Sequence, residues 1–193
     1  SKRSVTDIKK ASDRECVFLR TETGIESDGA GAMRGTATHA VMRHIDFSEK
    51  NVPAAIKRLA EERVISPNEA AQINPEWIAA FLKTDVAARA RASAAVYREA
   101  PFCFRVPAAD MGYEGAQDSV VVQGVIDLCF LEDGKWTVLD YKTDNVDEQT
   151  APHAAQGYKK QVDLYARALE RVTGIPVAQK YVYFFRQGLF ALQ

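Results

Sequence analysis

Three charged side chains are embedded in two apolar segments that a tight turn joins: Asp127 in the first, Asp140 and Lys142 in the second. Because side chains alternate faces along a strand, Asp140 and Lys142, two residues apart, point the same way. If Asp127 lies across from them, two carboxylates and an ammonium share one place. Carboxylate oxygens suit Mg²⁺, which keeps waters and takes phosphate oxygens of a substrate. The ammonium can hold the attacking water or the charge that develops on a phosphate. These residues outline a site for phosphodiester cleavage.

The same three residues also have an ordinary interpretation. A lone strand aspartate such as Asp127 often faces solvent, and Asp140 with Lys142 could form a surface ion pair on an edge strand. The apolar neighbours favour a buried site instead. A buried carboxylate without a partner or a metal is unfavourable by several kcal/mol, so two of them in one place require a reason.

Two more residues could join this site from other segments. Glu99, just before Pro101 and Phe102 in an apolar strand, is a candidate helper carboxylate or an exposed residue near a strand end. His39 follows Gly35 by four residues on a predicted helix, so both lie on one face. The glycine permits close approach of another group. A neutral imidazole can bind a divalent metal, although most helical histidines are packed or exposed without one.

A helix predicted after the two strands carries a second set of polar side chains. Gln161 and Tyr165 are four residues apart and share a face. They are either a boundary residue and a core residue, or an amide and a phenol that reach one substrate phosphate. Lys159 and Lys160 precede them in a turn that could meet a polyanion.

The surrounding pattern predicts one α/β domain over residues 1–193, with a mixed sheet flanked by helices and preceded by a helical block. Residues 1–94 form the mainly helical part that carries His39, and residues 95–193 carry the sheet, a long helix and the metal site. Asp133-Gly134 predicts the hairpin turn between the two strands, since the glycine tolerates positive φ. Helices are predicted to begin at Ser4, Ser66 and Asn74, and to cover Met33–Phe47, Pro53–Arg63, Thr84–Ser93 and Ala151–Thr173. Further strands are predicted at Val17–Arg20, Val96–Val106 and Val177–Phe185.

Composition narrows the class of protein. The chain has 193 residues, 47% of them hydrophobic, and a net charge of −1. The protein therefore has no overall positive charge that would attract nucleic acid, and a local basic groove would have to bind it. Three cysteines without a Cys-x-x-Cys pattern indicate a reducing compartment and exclude a four-cysteine iron–sulfur cluster. Neither a membrane span nor a signal peptide is predicted. The first residue, Ser1, and the apolar ending indicate a segment of a longer polypeptide.

Taken in order, the motifs resemble the RecB-type branch of the PD-(D/E)xK nuclease superfamily. More narrowly, they resemble the nuclease domain of AddA-type subunits of bacterial helicase–nucleases. Each motif alone is weak, but their order is specific, and the resemblance spans nearly the whole chain. The segments that carry it are Ser4–Lys9, Gly35–His39, Gly124–Asp127, Asp140–Asp144, Gln161–Tyr165 and Tyr181–Arg186.

The resemblance implies a restriction-endonuclease-like core and a metal site. Asp127 and Asp140 would bind Mg²⁺, for which Mn²⁺ or Ca²⁺ could substitute in binding. His39 and the carbonyl of Tyr141 would be further ligands, and Lys142 would be the catalytic lysine.

The same resemblance implies a substrate and partners. Gln161 and Tyr165, with Lys159 and Lys160 nearby, would hold the DNA backbone, and Glu99 would assist catalysis. The domain would cleave single strands of DNA that a helicase motor of the same polypeptide unwinds during double-strand break processing. It would work beside a second helicase–nuclease subunit in the bacterial cytoplasm. The motor's phosphate loop, Gly-x-x-x-x-Gly-Lys-[Ser/Thr], is absent from this sequence. Partner subunits of this kind carry the iron–sulfur cluster, so three cysteines favour the AddA type.

Two other functions compete with a DNase. The nuclease fold could be catalytically silent and serve as a DNA clamp or a subunit-docking surface. The complete set of two aspartates and a lysine argues against this. Alternatively, the same site could act on RNA or as a structure-specific endonuclease.

Overall fold

The computed structural model describes residues 16–18, 29–107, 109 and 119–193. The helix predicted from Ser4 and most of the loop predicted between Pro107 and Ser119 lie outside these residues. The described chain forms a mixed six-stranded sheet with a helical layer on each face, which confirms the α/β architecture. No helix in the described ranges is long and apolar enough to cross a membrane.

The helical block begins with α1 (Gly29–His44), four residues before the predicted Met33, and a predicted polar cap begins its third helix. Ser66 and Glu69 form the predicted capping box: Ser66 Oγ accepts from Glu69 N at 3.1 Å, and Glu69 Oε2 accepts from Ser66 N at 2.7 Å. The first helix ends before the predicted Phe47, because Asp46 Oδ1 accepts from Ser48 N in a turn that replaces the helical bonds. The helices are α1 Gly29–His44, α2 Val52–Glu61, α3 Pro67–Gln72, α4 Pro75–Leu82 and α5 Asp85–Ala92.

The sheet is built around its longest strand, β3. The strands are β1 Cys16–Phe18, β2 Val96–Pro107, β3 Ser119–Glu132, β4 Lys135–Lys142, β5 Val177–Phe184 and β6 Gly188–Ala191. One edge of β3 pairs with β2 in an antiparallel ladder, and its other edge pairs with β1 (parallel) and β4 (antiparallel). Strand β5 is parallel to β4, and β6 is antiparallel to β5. Pro101 does not interrupt β2, as expected for a strand that has a partner on one side only in the described chain.

The turn between β3 and β4 has the predicted geometry. Asp133 has φ 50° and Gly134 has φ 72°, and Glu132 pairs with Lys135 at the end of the ladder. Two consecutive positive φ angles match the right-handed twist of a hairpin, which is why Asp-Gly is favoured there. The turn fixes the register that brings the β3 and β4 aspartates to the same end of the sheet.

The prediction of one long helix over Ala151–Thr173 is wrong in one respect, because the structure has two helices there. Helix α6 covers Ala151–Gly157 and helix α7 covers Lys159–Thr173, with Tyr158 between them. Glycine at position 157 weakens the helix. The hydroxyl of Tyr158 donates to Asp144 Oδ2 at 2.8 Å, which holds this residue against the segment after β4.

Two apolar layers hold the sheet. The face towards α1–α5 buries Val41, Phe81 and Tyr141, and the face towards α6 and α7 buries Val162 and Phe184. The two helical groups therefore enclose β3 and β4, and the polar residues at the ends of these strands face neighbours on both sides.

We expect Gly124→Ala to destabilise the fold by about 1–3 kcal/mol, because overpacking a filled site forces side chains aside. Gly124 lies opposite Phe102 in the β2–β3 ladder, and a Cβ at Gly124 would be 2.6 Å from Phe102 Cζ. Gly157→Ala is the matched control, since a Cβ there has nothing within 4 Å. Urea unfolding measures both variants, and equal free energies of unfolding would contradict this account of Gly124.

Candidate active site

Strand β2 reverses its faces at Glu99. Val96, before it, packs in the layer towards the helical block, whereas Ala100, after it, packs in the layer towards α7. An unbroken alternation would place both on one face, since they are four residues apart. Glu99 has φ 49°, in the left-handed region that non-glycine residues rarely adopt. Such a residue is strained by about 1–3 kcal/mol, and strain of this kind is often found at functional sites.

Strand β3 reverses at the residue that faces Glu99 in the ladder. Arg98 pairs with Leu128 and Ala100 with Ile126, so Asp127 lies opposite Glu99. Ile126 packs in the α7 layer and Leu128 in the helical-block layer, although strict alternation would put them on the same face. The paired reversals direct both carboxylates towards α1.

Together with His39 these carboxylates form one group of possible metal ligands. His39 Nδ1 is 3.3 Å from Asp127 Oδ1 and 3.5 Å from Glu99 Oε1. The three ligand atoms lie within 4.8 Å of one another. One imidazole and two carboxylates suit a divalent cation. The prediction that His39 and Glu99 would join Asp127 agrees with this arrangement, and their roles stay predictions.

Without a metal, the imidazole of His39 is the counter-charge of this group. Burial lowers the pKa of His39, but Asp127 and Glu99 outweigh it and raise the pKa to about 10. Burial alone would raise the pKa of Asp127, whereas His39 and Lys142 hold it below the ordinary value. A divalent cation would supply the same positive charge.

Gly35 allows α1 to approach the end of β4. A Cβ at Gly35 would be 3.1 Å from Thr143 Oγ1, which is tighter than ordinary van der Waals contact. This residue therefore fits the predicted reason for a glycine one turn before His39. Since Thr143 follows Lys142, the close approach places the histidine next to the strand that carries the other charges.

The second half of the site lies on β4. Lys142 Nζ is 2.7 Å from Asp140 Oδ2, and Gln161 Nε2 donates to Asp140 Oδ1 at 2.9 Å. Gln161 also donates to the hydroxyl of Tyr165. Asp140 is 1% exposed and Lys142 is 5% exposed. The predicted pairs, Asp140 with Lys142 and Gln161 with Tyr165, are thus joined in one buried network.

One oxygen of Asp140 lacks a directed hydrogen bond despite this network. Its Oδ2 accepts no well-directed hydrogen bond from the described residues, although the Lys142 ammonium is close. Burial raises the pKa of Asp140 above the ordinary range, Lys142 opposes this, and the charge of Asp127 raises it further. A buried carboxylate oxygen with a spare lone pair fits a metal ligand. Asp140 lies outside the group formed by His39, Glu99 and Asp127.

Strands β3 and β4 separate from each other at the site. Their ladder ends with Leu128 opposite Leu139, and beyond it Asp127 Oδ2 accepts from Tyr141 N at 2.7 Å. The carboxylate thus satisfies a backbone N–H that has lost its strand partner. This bond fixes Asp127 on Tyr141, and the metal-binding role of the Tyr141 carbonyl stays a prediction.

The remaining predicted residues differ in their availability to DNA. Lys159 Nζ is 2.8 Å from Asp163 Oδ2, so this lysine is paired within α7. Lys160 is exposed. Tyr158 packs against the core layer of α6 and α7, and the Lys142 Nζ lies over its ring, 4.5 Å from the ring centroid. Its position three residues before Gln161 was the one sequence signal of this contact.

Comparison with known proteins identifies the family of this chain. The chain belongs to the PD-(D/E)XK nuclease superfamily, whose sequence profile matches residues 15–190. The restriction-endonuclease-like fold and the predicted resemblance are thereby confirmed, and nucleases of this superfamily generally use divalent metals.

Curated relatives narrow the resemblance to one kind of protein, the A subunit of an ATP-dependent helicase/nuclease. The relative from Geobacillus kaustophilus is 37% identical over 186 residues, which cover 89% of this chain and 15% of the relative. The relative from Clostridium acetobutylicum is 34% identical over 166 residues, 80% of this chain and 13% of the relative. The relative from Thermoanaerobacter pseudethanolicus is 30% identical over 213 residues, which cover 97% of this chain and 17% of the relative. This chain therefore spans less than a fifth of their length.

Lys142→Met should destabilise the metal-free protein by about 3–5 kcal/mol near pH 8, because it leaves a buried carboxylate unpaired. The loss should shrink towards pH 5.5. The fold raises the pKa of Asp140 to about 7, so the ionisation of Asp140 lowers the free energy of unfolding as pH rises through that pKa. Lys142 stabilises the ionised carboxylate and makes this decrease smaller. Urea unfolding in EDTA across this pH range is the measurement.

Lys57→Met is the control for that experiment, because the Lys57 side chain is 78% exposed. Exposed pairs contribute at most about 1 kcal/mol. A loss in Lys142→Met that did not change with pH would contradict the assignment of the effect to Asp140.

Proposed function

We propose that this domain is a Mg²⁺-dependent deoxyribonuclease that hydrolyses phosphodiester bonds of single-stranded DNA. The observation that carries the proposal is the meeting of two charged groups at one end of the sheet. One is His39 with Glu99 and Asp127, and the other is the buried pair of Asp140 and Lys142. Membership in a nuclease superfamily supports the same chemistry.

The proposed metal ligands are His39, Asp127, Asp140 and the carbonyl of Tyr141, with Glu99 as an additional carboxylate. Mn²⁺ or Ca²⁺ would substitute for Mg²⁺ in binding. A bound divalent metal supplies a Lewis acid for the phosphate and lowers the pKa of water. An iron–sulfur cluster is not part of the proposal, since the chain has three cysteines.

Lys142 is the proposed catalytic lysine. Its ammonium has three donors, and Asp140 holds it beside the metal-ligand group. A free N–H can donate to a non-bridging phosphate oxygen, where charge develops in the transition state, or orient the attacking water. Gln161 fixes the other oxygen of Asp140, so the pair keeps one geometry.

DNA would lie across the end of the sheet next to α7. Gln161 and Tyr165 are proposed to hold its backbone, with Lys159 and Lys160 adding positive charge at the start of α7. Of the two lysines, Lys160 is the more available, because Lys159 is paired with Asp163. Net charge of −1 gives the chain no general attraction for a polyanion, so affinity must come from this local surface.

The wider role follows from the relatives, which are named as subunits of an ATP-dependent helicase/nuclease. The domain would receive single strands from a helicase motor of its own polypeptide, in a complex with a second subunit. The setting would be exonucleolytic processing of double-strand breaks in the bacterial cytoplasm.

Asp140→Asn should lower the rate of single-stranded DNA cleavage in Mg²⁺ by at least about 100-fold, a typical effect of losing one charge-stabilising group. Asp85→Asn is the matched control, because the Asp85 side chain is 86% exposed on α5. Labelled DNA and RNA strands of one sequence, with and without EDTA, give the measurement. Cleavage by Asp140→Asn at the wild-type rate would refute the assignment of Asp140 to the active site. Preferential cleavage of RNA by the wild type would refute DNA as the substrate.

His39→Ala should weaken Mn²⁺ binding about 10-fold or more, as changes in a metal site commonly do. His44→Ala, on the same helix and exposed, should leave the affinity unchanged. Isothermal calorimetry measures the affinity, and thermal unfolding with added Mn²⁺ reports the same binding as a rise in Tm. If the wild type bound no Mn²⁺, a catalytically silent clamp would be the better function.

A further inference from the structure

The ammonium of Lys142 has three neighbours of different chemistry. Asp140 Oδ2 is 2.7 Å from Nζ, Gln161 Oε1 is 3.5 Å away, and the ring centroid of Tyr158 is 4.5 Å away. The side chain is only 6% exposed. An ammonium has three N–H donors and no acceptor. A neighbour that attracts the charge without using a donor therefore leaves an N–H for another ligand.

The ring of Tyr158 is held from two directions. Its hydroxyl donates to Asp144 Oδ2 at 2.8 Å, and its ring lies 6.1 Å from the ring of Phe184, centroid to centroid. Asp144 belongs to the segment that follows Lys142, so this bond joins that segment to the junction of α6 and α7.

We propose that Tyr158 is a positioning residue for strand cleavage. Its ring holds the Lys142 ammonium beside Asp140 and leaves one N–H free for an oxygen of the scissile phosphate. The inference rests on the proposed nuclease function and adds a residue to it.

An aromatic ring suits this task for an electrostatic reason. Its face attracts a cation, and the attraction strengthens when the pair is shielded from water. The ring is a far weaker acceptor than a carboxylate, so it does not compete with a phosphate oxygen for the proton donors. A leucine at position 158 would exclude water as well, but it would not attract the charge.

Tyr158→Leu should lower kcat for single-stranded DNA about 10- to 30-fold, the factor expected from losing a shielded cation–π contact. KM should change by less than about 3-fold, because substrate binding does not depend on this ring. Tyr158→Phe keeps the ring and loses one hydrogen bond, so its kcat should fall by about 10-fold at most and stay well above that of the leucine variant. Tyr97→Leu is the control, since this exposed tyrosine contacts Trp136 near the opposite end of β4.

A spectroscopic measurement separates positioning from a general structural role. In metal-free protein with ¹³C-labelled lysine, the ε-methylene signal of Lys142 should be shifted upfield by the ring current of Tyr158. Lys142→Arg identifies the signal by its disappearance. The shift should persist in Tyr158→Phe and vanish in Tyr158→Leu. If the leucine variant does not fold, Tyr158→Met fills the space with an unbranched chain and tests the same loss.

Wild-type kcat in a folded Tyr158→Leu or Tyr158→Met variant would overturn the proposal. An ordinary lysine shift for Lys142 in the wild type would overturn it as well. A wild-type chain that cleaves no DNA would overturn the proposed function instead. In that case the chemical shift still decides whether the ring holds the ammonium.

Discussion

The burial of opposite charges at the end of β4 is the constraint on which the site depends. Asp140 and Lys142 are almost fully buried, so each has lost its water and each requires the other. Such a pair is seldom a source of net stability, because desolvation offsets much of the attraction. Its retention inside an apolar layer is therefore better explained by chemistry than by folding. The pair also fixes its surroundings, since Gln161 of α7 and Tyr158 at the helix junction both meet it.

A second constraint comes from β2 and β3. Both strands reverse their faces at the same rung of the ladder, with Glu99 in a strained conformation opposite Asp127. The strain persists because the flanking pairs on both sides hold the two strands in register. The result is a carboxylate pair that faces α1, where His39 supplies the counter-charge. In the metal-free fold, the positive charges of His39 and Lys142 balance these carboxylates, because they lower the pKa of Asp127 that burial alone would raise.

No single element contains this site. His39 comes from the helical block, Glu99 and Asp127 from two paired strands, Asp140 and Lys142 from a third, and Gln161 from the other helical layer. The sheet is therefore a frame that brings two helical layers to one end of β4. This arrangement agrees with membership in the nuclease superfamily, and it shows why the whole span of residues 15–190, rather than the hairpin alone, carries the resemblance.

By itself the sequence determined the features that depend on near neighbours in the chain. Capping residues set the start of helices such as α3, Asp133-Gly134 set the hairpin, and the i, i+2 spacing put Asp140 and Lys142 on one face. The order of motifs also determined the family. Only the tertiary structure decided that Glu99 and Asp127 face α1 and that the ring of Tyr158 meets the Lys142 ammonium. Periodic patterns assume one unbroken backbone geometry, whereas the face reversal and the helix break depend on contacts between distant segments, which local spacing does not encode.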